Sequence, residues 1–265
     1  MQRLTIFAKG NLDLRDSLYA LKSGGETLWN GINPLVRARF PGQSVRVQHE
    51  LWTRSDALLQ SDGVIPQELA ERNLPLEPYT LEAQFSRAVF EARTDVYVLS
   101  LQPDVATSLV RHSRDGYLFY PNEWRNWSEP DRLWLRDNFT KLPLLDVDVS
   151  LENLSRIIAK IRERTEAPIL VYNLSAVVPG ETIHCYSGVD EIFSTRIRRF
   201  NLALVDLSKA SGISVIDVDA IIARGGADRL KFDAMHLTAD GCRLVAEEVL
   251  RVLEDLGCFT PPEQR

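Results

Sequence analysis

Near the end of the chain, Asp233 stands three residues before His236. A carboxylate at this spacing can accept a hydrogen bond from the imidazole Nδ1–H, which fixes the tautomer and leaves Nε2 free as a general base. The alternative is a helix-capping loop whose histidine makes one structural hydrogen bond. Residues 237–241 lead directly into an apolar helical pattern, so the pair lies in the loop between the last predicted strand and the last predicted helix. This position favours the catalytic interpretation.

Five short runs of β-forming residues supply the elements that would position this pair. They cover residues 3–8, 44–49, 96–102, 168–173 and 213–217. Each is rich in Val, Ile and Leu and ends in polar or turn residues, as buried parallel strands do. Because they alternate with helical patterns, we expect one parallel sheet with helices on both faces. Ligands of such a sheet bind outside the carboxyl ends of the strands.

Apolar residues at three- and four-residue steps predict helices between these strands. One helix begins after Ser150 and the last begins after Thr238, and both residues are expected N-caps. The stripe of the last helix consists of Cys242, Val245, Ala246, Val249, Leu253 and Leu256. No repeat or flexible linker interrupts the pattern, so one domain is the simplest organisation.

In element order, and most strongly in residues 233–241, the chain resembles the SGNH (GDSL-like) hydrolase family. That family has a flavodoxin-like α/β/α sandwich with five parallel strands, and its last sequence block is Asp-X-X-His. The resemblance implies a single SGNH-like domain over residues 1–265 with strand order 2-1-3-4-5. It further implies that His236 is the catalytic base and Asp233 its orienting carboxylate. The implied activity is that of a serine hydrolase, an esterase or acyltransferase that cleaves an ester-like bond.

The nucleophile block departs from the family's Gly-Asp-Ser-Leu. Residues 16–18 read Asp-Ser-Leu, but Arg15 replaces the glycine and the block does not directly follow the first strand. In the strict register, residues 9–11 (Lys-Gly-Asn) would occupy Gly-Asp-Ser and place Asn11 at the nucleophile position. Two alternatives stay open: Ser17 completes a Ser-His-Asp triad, or Ser17 only caps a helix and no serine reaches His236.

The blocks that would form an oxyanion hole also depart from the family pattern. The family has a glycine after the second strand and Gly-X-Asn-Asp after the third, whereas residues 52–56 read Trp-Thr-Arg-Ser-Asp and residues 101–104 read Leu-Gln-Pro-Asp. Three groups can replace the missing donors, namely the Gln102 side-chain amide, Asn11 and the backbone of Gly10.

Two roles fit Arg54, which follows the second predicted strand. An arginine at a strand's carboxyl edge can hold a substrate carboxylate or phosphate bidentately, which a plain ester does not require. The alternative is a salt bridge to Glu50 or Asp56.

Residues 112–138 form an excursion that follows the third strand and is dense in aromatic residues and arginines. These are Tyr117, Phe119, Tyr120, Trp124, Arg125, Trp127, Trp134 and Arg136. As a lid, the segment would stack on a flat or sugar-like substrate and offer cations to an anion. As structure, its aromatic residues would pack on the sheet edge or form a dimer surface. We favour packing with some substrate contact.

Composition excludes several classes of protein. The 265 residues carry 31 Lys and Arg against 37 Asp and Glu, a net charge of −6, which disfavours nucleic-acid and anionic-membrane binders. No apolar run is long enough to span a membrane, and no cleavable signal precedes the first strand. The three cysteines have no CxxC spacing. These features predict a cytoplasmic protein without membrane partners.

The sequence also predicts no cofactor. No phosphate-binding glycine loop follows the first strand, and the histidines outside the Asp-X-X-His block have no metal-ligand spacing. The expected ligand is a small ester or acyl compound, either neutral or anionic. The alternative function is an SGNH-fold protein without a competent serine nucleophile that binds a ligand or a partner.

Overall fold

The computed structural model describes residues 2–51 and 54–259, so Trp52 and Thr53 of the second-strand block lie outside the described residues. The strands are β1 Gln2–Lys9, β2 Ala20–Ser23, β3 Glu26–Asn30, β4 Gln43–Glu50, β5 Val96–Ser100, β6 Val110–His112, β7 Leu118–Phe119, β8 Phe139–Lys141, β9 Ile169–Tyr172 and β10 Ser214–Ile216.

The α-helices follow between and after these strands. They are α1 Leu12–Leu18, α2 Asn33–Arg39, α3 Ser55–Gln60, α4 Gln67–Glu71, α5 Thr80–Phe85, α6 Ala88–Glu91, α7 Gln102–Ala106, α8 Glu129–Asn138, α9 Val147–Arg162, α10 Phe193–Ser211, α11 Val218–Gly225, α12 Ala227–Leu230 and α13 Ala239–Asp255. A short 3-10 helix covers Trp124–Asn126.

Five of the strands form one parallel sheet in the spatial order β10-β9-β5-β1-β4. Counted among themselves in chain order, these strands have the order 2-1-3-4-5, which confirms the predicted fold class and strand order. Each of the five lies within two residues, at either end, of a run predicted from its β-forming residues.

Alternate residues of the sheet enter two separate cores, which makes the fold a three-layer α/β/α sandwich. Ile6 and Ala8 of β1 pack with α1, α2, α11 and α13, whereas Phe7 packs with α3, α6, α9 and α10. The same two-residue period runs through β5, where Val98 faces the first core and Leu99 the second. The sheet is therefore covered on both faces, and its carboxyl edge stays available for a site.

The last helix, α13, fixes the position of the loop that precedes it. The Thr238 hydroxyl accepts from the Gly241 backbone N–H at 3.3 Å, so Thr238 is the N-cap as predicted. A Cβ on Gly241 would lie 2.5 Å from the Leu230 carbonyl oxygen, which explains why a glycine is required there. Leu256, expected on the apolar stripe, is instead exposed beyond the end of the helix.

The N-cap predicted at Ser150 is wrong. Helix α9 begins at Val147, and Asp146 caps it by accepting from the Asp148 backbone N–H at 2.9 Å. Ser150 lies one turn inside the helix, where it is buried and its hydroxyl donates to the buried carboxylate of Asp104. The hydroxyl of Ser150 therefore bonds to a residue distant in sequence and does not cap the helix.

The aromatic excursion has a small core of its own. Strands β6, β7 and β8 form an antiparallel sheet that packs with α8 around Phe119, Trp127 and Phe139. Trp127 is buried, whereas Trp124 is 44% exposed. Packing thus accounts for much of the segment, as favoured.

The single-domain organisation stays a prediction. Among the described helices, none is both long and apolar enough to cross a membrane.

Candidate active site

Asp233 and His236 form a hydrogen-bonded pair in the loop before α13. The His236 Nδ1 atom lies 2.8 Å from Oδ2 and 3.0 Å from Oδ1 of Asp233. Because a carboxylate only accepts, this contact assigns a proton to Nδ1, and in the neutral ring Nε2 is then the acceptor. No described residue forms a hydrogen bond with Nε2, and the His236 side chain is 45% exposed. The sequence predicted this local geometry.

The loop itself orients the Asp233 carboxylate. Its Oδ1 accepts from the backbone N–H groups of Met235 and His236, at 2.7 and 2.8 Å. Partial burial would raise the pKa of Asp233, but the hydrogen bonds from the His236 ring and these two amides outweigh it and lower that pKa. The carboxylate therefore stays ionised and can stabilise a protonated His236 during a reaction.

His236 lines a cavity of about 570 Å³ at the carboxyl edge of the sheet, which we call the site cavity. Asn11, after β1, and Gln102, after β5, line it as well. Gln102 is almost fully buried, and its Nε2 donates to the Met235 carbonyl at 3.3 Å. An amide nitrogen carries two hydrogens, so one N–H of Gln102 has no partner among the described residues. The structure therefore brings Asn11, Gln102 and His236 to one cavity.

Asn11 stands at the turn between β1 and α1, where it is the N-cap residue by position. Its side chain makes no capping hydrogen bond, nor any other with the described residues. Gly10 precedes it and must be small, because a Cβ there would lie 2.6 Å from Leu14 Cδ1 and 2.8 Å from Ser100 Cβ. A free carboxamide therefore stands where the strict family register expects the nucleophile.

The predicted oxyanion donor at the Gly10 backbone is wrong for this structure. The Gly10 N–H already donates to the Glu50 carbonyl at 3.1 Å. The Gly10 carbonyl in turn lies 2.7 Å from His49 Nε2. Pairing of β1 with the end of β4 thus occupies both backbone groups of this glycine.

Ser17 lies on the other side of α1 from the site cavity. Side chains three or four residues apart share a face of a helix, and Ser17 shares the buried face with Leu14 and Leu18. Asn11 and Arg15, also four residues apart, line the cavity instead. Ser17 is therefore not placed beside His236.

The hydroxyl of Ser17 is also fully shielded from solvent. It donates to the Asp13 carbonyl at 2.7 Å and lies 3.2 Å from the Tyr172 hydroxyl. In this arrangement the hydroxyl cannot reach a substrate in the cavity.

Arg54 forms the ion pair that was the alternative to substrate binding. Its guanidinium contacts Asp56 bidentately, with Nε–Oδ1 at 3.0 Å and Nη2–Oδ2 at 2.6 Å, and also donates to the Pro143 carbonyl at 2.7 Å. The residue is only 2% exposed. The expectation that Arg54 holds an anionic substrate is therefore corrected, because its guanidinium is buried and its charge is already paired with Asp56.

A buried lysine joins three parts of the cavity wall. Lys9, the last residue of β1, lies with its Nζ 3.0 Å from Glu50 Oε2 and 2.7 Å from the Ala83 carbonyl. Burial lowers the pKa of Lys9, and the Glu50 carboxylate opposes that shift. The ends of β1 and β4 and the α5 wall are thus held together directly beneath Gly10 and Asn11.

Several residues of the cavity wall were not predicted as part of the site. Tyr79 and Glu123 line it, and they are the two non-glycine residues with positive φ in the described chain, at 65° and 51°. Such backbone conformations are costly and cluster at functional sites. Nothing in the sequence signals them, because they come from loops brought in by tertiary packing. Arg15, in contrast, could have been predicted from the sequence. It lies four residues after Asn11, so the two side chains are expected on the same face of α1.

Comparison with known proteins gives the fold. No protein-family model and no curated protein matches the chain. A lipase/acylhydrolase from Enterococcus faecalis matches with 12% identity and a TM-score of 0.52 over 98% of each chain. An α/β hydrolase enzyme from the metagenome of Lake Arreo, Spain, matches with 14% identity and a TM-score of 0.53, over 97% of this chain and 96% of its own.

An acetyl xylan esterase, AlAXEase, also matches, with 13% identity and a TM-score of 0.52 over 94% of this chain and 100% of its own. This chain has the SGNH hydrolase fold. At this level of identity the likeness establishes the SGNH fold alone, and the reaction has to be argued from the site.

Proposed function

We propose that this SGNH-fold protein cleaves a small ester, passing the acyl group to water or to an acceptor hydroxyl, with His236 as the general base. The supporting observation is the Asp233–His236 pair, whose free Nε2 belongs to a wall of the site cavity. The carboxylate fixes the tautomer, and the half-exposed ring is accessible to a ligand.

The nucleophile in this proposal is an oxygen that comes with the substrates. A water molecule or acceptor hydroxyl attacks the carbonyl carbon while His236 Nε2 takes its proton. Negative charge develops on the carbonyl oxygen, and the carboxamides of Asn11 and Gln102 are the donors assigned to it. When the bond to the leaving alcohol breaks, protonated His236 returns the proton to that oxygen. No covalent acyl–enzyme forms.

The serine mechanism is the second candidate, since residues 16–18 keep three letters of the family's nucleophile motif. It requires α1 to rearrange, because Ser17, in the last turn, has to release the Asp13 carbonyl and turn its Oγ toward the cavity. Breaking buried hydrogen bonds and exposing Leu14 and Leu18 would oppose this change. The direct mechanism needs no such rearrangement, and for this reason we prefer it.

Hydrolysis of neutral short-chain esters by purified protein tests the proposal. We expect measurable turnover in the wild type and loss of it in His236→Ala. His184→Ala is the matched control, since His184 is an exposed histidine outside the site cavity. Full activity in His236→Ala, or no turnover of any ester or acyl donor by the wild type, would overturn the proposed function.

A further inference from the structure

A second depression, larger than the site cavity, adjoins it. Its volume is about 890 Å³, and four of its residues also line the site cavity: Ala106, Thr107, Tyr120 and Glu123. The remaining wall comes from the aromatic excursion and from the ends of the small antiparallel sheet. The two depressions are therefore neighbours with a common stretch of wall, and a ligand with its reacting end at His236 has this second depression next to it.

The charge of this depression opposes that of the whole protein, and we call it the basic groove. Its cations are Arg125, Arg132, Arg136 and Lys141. Two carboxylates, Glu123 and Glu129, accompany these four cations, whereas the chain as a whole has a net charge of −6. The site cavity has the reverse balance, with Arg15 against Glu50, Glu77 and Glu123. Such a division favours a ligand that is anionic only in its groove-bound part.

Three of the four groove cations have no carboxylate partner in the described part of the chain. Arg136 pairs with Asp137 at 2.9 Å. No carboxylate of the described residues lies within 4.0 Å of Arg125, Arg132 or Lys141. Arg72, in contrast, is paired with Asp131. The unpaired cations are therefore available to an external anion.

Two of these arginines are held in place by their own segment. Arg132 Nη1 donates to the Arg125 carbonyl at 3.3 Å, and the Arg125 guanidinium lies 5.6 Å from the centre of the Trp124 ring. Trp124 keeps nearly half of its surface exposed in the same wall. An ordered pair of guanidinium groups beside an exposed aromatic face suits carboxylate or phosphate groups on a cyclic scaffold.

We infer that the basic groove binds the non-reacting part of the substrate, an extended group that carries carboxylates or phosphates. This inference rests on the proposed function for the place of the reacting ester, which lies at His236. The acyl end is uncharged and occupies the site cavity, while the anionic part contacts Arg125, Arg132 and Lys141. The groove thereby selects esters of acidic molecules over neutral esters of equal size.

Equilibrium binding to the full chain tests the inference without requiring turnover. The probes are an oligogalacturonate, which offers carboxylates, tripolyphosphate, which offers phosphates, and an uncharged oligosaccharide of the same length as the first. We expect one of the anionic probes to bind measurably more tightly than the neutral one, and added salt to weaken that binding. The better anionic probe identifies the source of the negative charge.

Variants locate the binding site. Arg125→Ala and Arg132→Ala should each weaken binding of the better anionic probe by about tenfold. Arg251→Ala, which removes an exposed arginine of α13 remote from the groove, should leave the affinity unchanged. The inference is overturned if neither anionic probe binds, or if both groove variants bind with wild-type affinity.

The outcomes also separate this inference from the proposed function. Tight, groove-dependent binding by a protein that hydrolyses no ester would leave the anion-binding groove standing and refute the proposed function. Turnover of neutral esters that depends on His236, without any anion binding, would support the proposed function and refute the inference about the groove.

Discussion

Two segments that contribute to the wall of the site cavity, residues 9–17 and residues 233–236, use their polar side chains in opposite ways. In the later segment, Asp233 and His236 are half-exposed and hydrogen-bonded to each other. In the earlier segment, Ser17 is buried and bonded to its own helix, while the side chain facing the cavity is the amide of Asn11. The structure thus has a hydrogen-bonded Asp–His pair without Ser17 beside it, and in the proposed function the attacking oxygen therefore comes from outside the chain.

The largest effect should come from the later segment. Asp233→Asn leaves a side chain of the same shape that no longer favours the Nδ1–H tautomer or a protonated His236, so kcat/KM for a neutral ester should fall by about 10²- to 10³-fold. Asp240→Asn, an exposed change at the start of α13, is the control. Near-wild-type kcat/KM in Asp233→Asn would mean that the pair is only a loop-stabilising contact.

Removing the amide of the earlier segment should have a smaller effect on the same reaction. Asn11→Ala deletes one of the two assigned oxyanion donors, so kcat should fall by about 10- to 100-fold with little change in KM. Asn11→Asp keeps the size but replaces the donor with a carboxylate, and it should be at least as impaired. Equal activity in all three proteins would remove Asn11 from the mechanism.

The buried carboxyl group of Asp13, in the earlier segment, should make the free energy of unfolding depend on pH. Burial raises the pKa of Asp13 to about 6, and its Oδ1 has no partner among the described residues. A raised carboxyl pKa means that the folded state loses stability as pH rises from the unfolded pKa toward 6. Asp13→Asn removes this titration, so relative to wild type it should gain of the order of 2–3 kcal/mol between pH 4 and pH 7.

Urea unfolding of wild type and Asp13→Asn across that pH range measures this difference. A constant difference in unfolding free energy would show that Asp13 ionises normally and that this end of α1 is open to solvent.

The smallest effect on activity should come from Ser17. Ser17→Ala removes a hydrogen bond to the Asp13 carbonyl and leaves the cavity wall intact, so kcat/KM should stay within about twofold while stability falls by about 1 kcal/mol. Steady-state kinetics and thermal unfolding of the same sample test both parts. Loss of turnover with unchanged stability would contradict this interpretation and favour a catalytic Ser17.

The two segments also differ in how far the sequence could predict them. Asp233 and His236 are three residues apart and bond within one loop, so spacing alone predicts their contact. The distinction between Asn11 and Ser17 depends on which face of α1 meets the sheet, and that is decided by packing against Tyr172 and α13. Motif letters at residues 16–18 contain no information about this rotation.

Arg54 and Ser150 show the same limit. Each has a local signal, an acidic residue two positions on for Arg54 and a helix start for Ser150. For Arg54 the local partner, Asp56, forms the ion pair, but the burial that removes it from a substrate also involves the distant Pro143 carbonyl. For Ser150 the partner is the distant Asp104 carboxylate. The five strands, in contrast, were predictable from local composition, because central strands such as β5 and β9 are buried on both faces and form continuous apolar runs. The edge strand β4 keeps only an alternating apolar pattern.

Reaction with a fluorophosphonate, followed by intact-mass and peptide analysis, tests the central claim most directly. If the attacking oxygen is not supplied by the protein, wild type and Ser17→Ala should remain unlabelled under conditions in which both hydrolyse ester. Asn11→Ser, which places a hydroxyl on the cavity wall that includes His236, should acquire a label at position 11. A wild-type protein labelled stoichiometrically on Ser17, with the label lost in Ser17→Ala, would contradict the account.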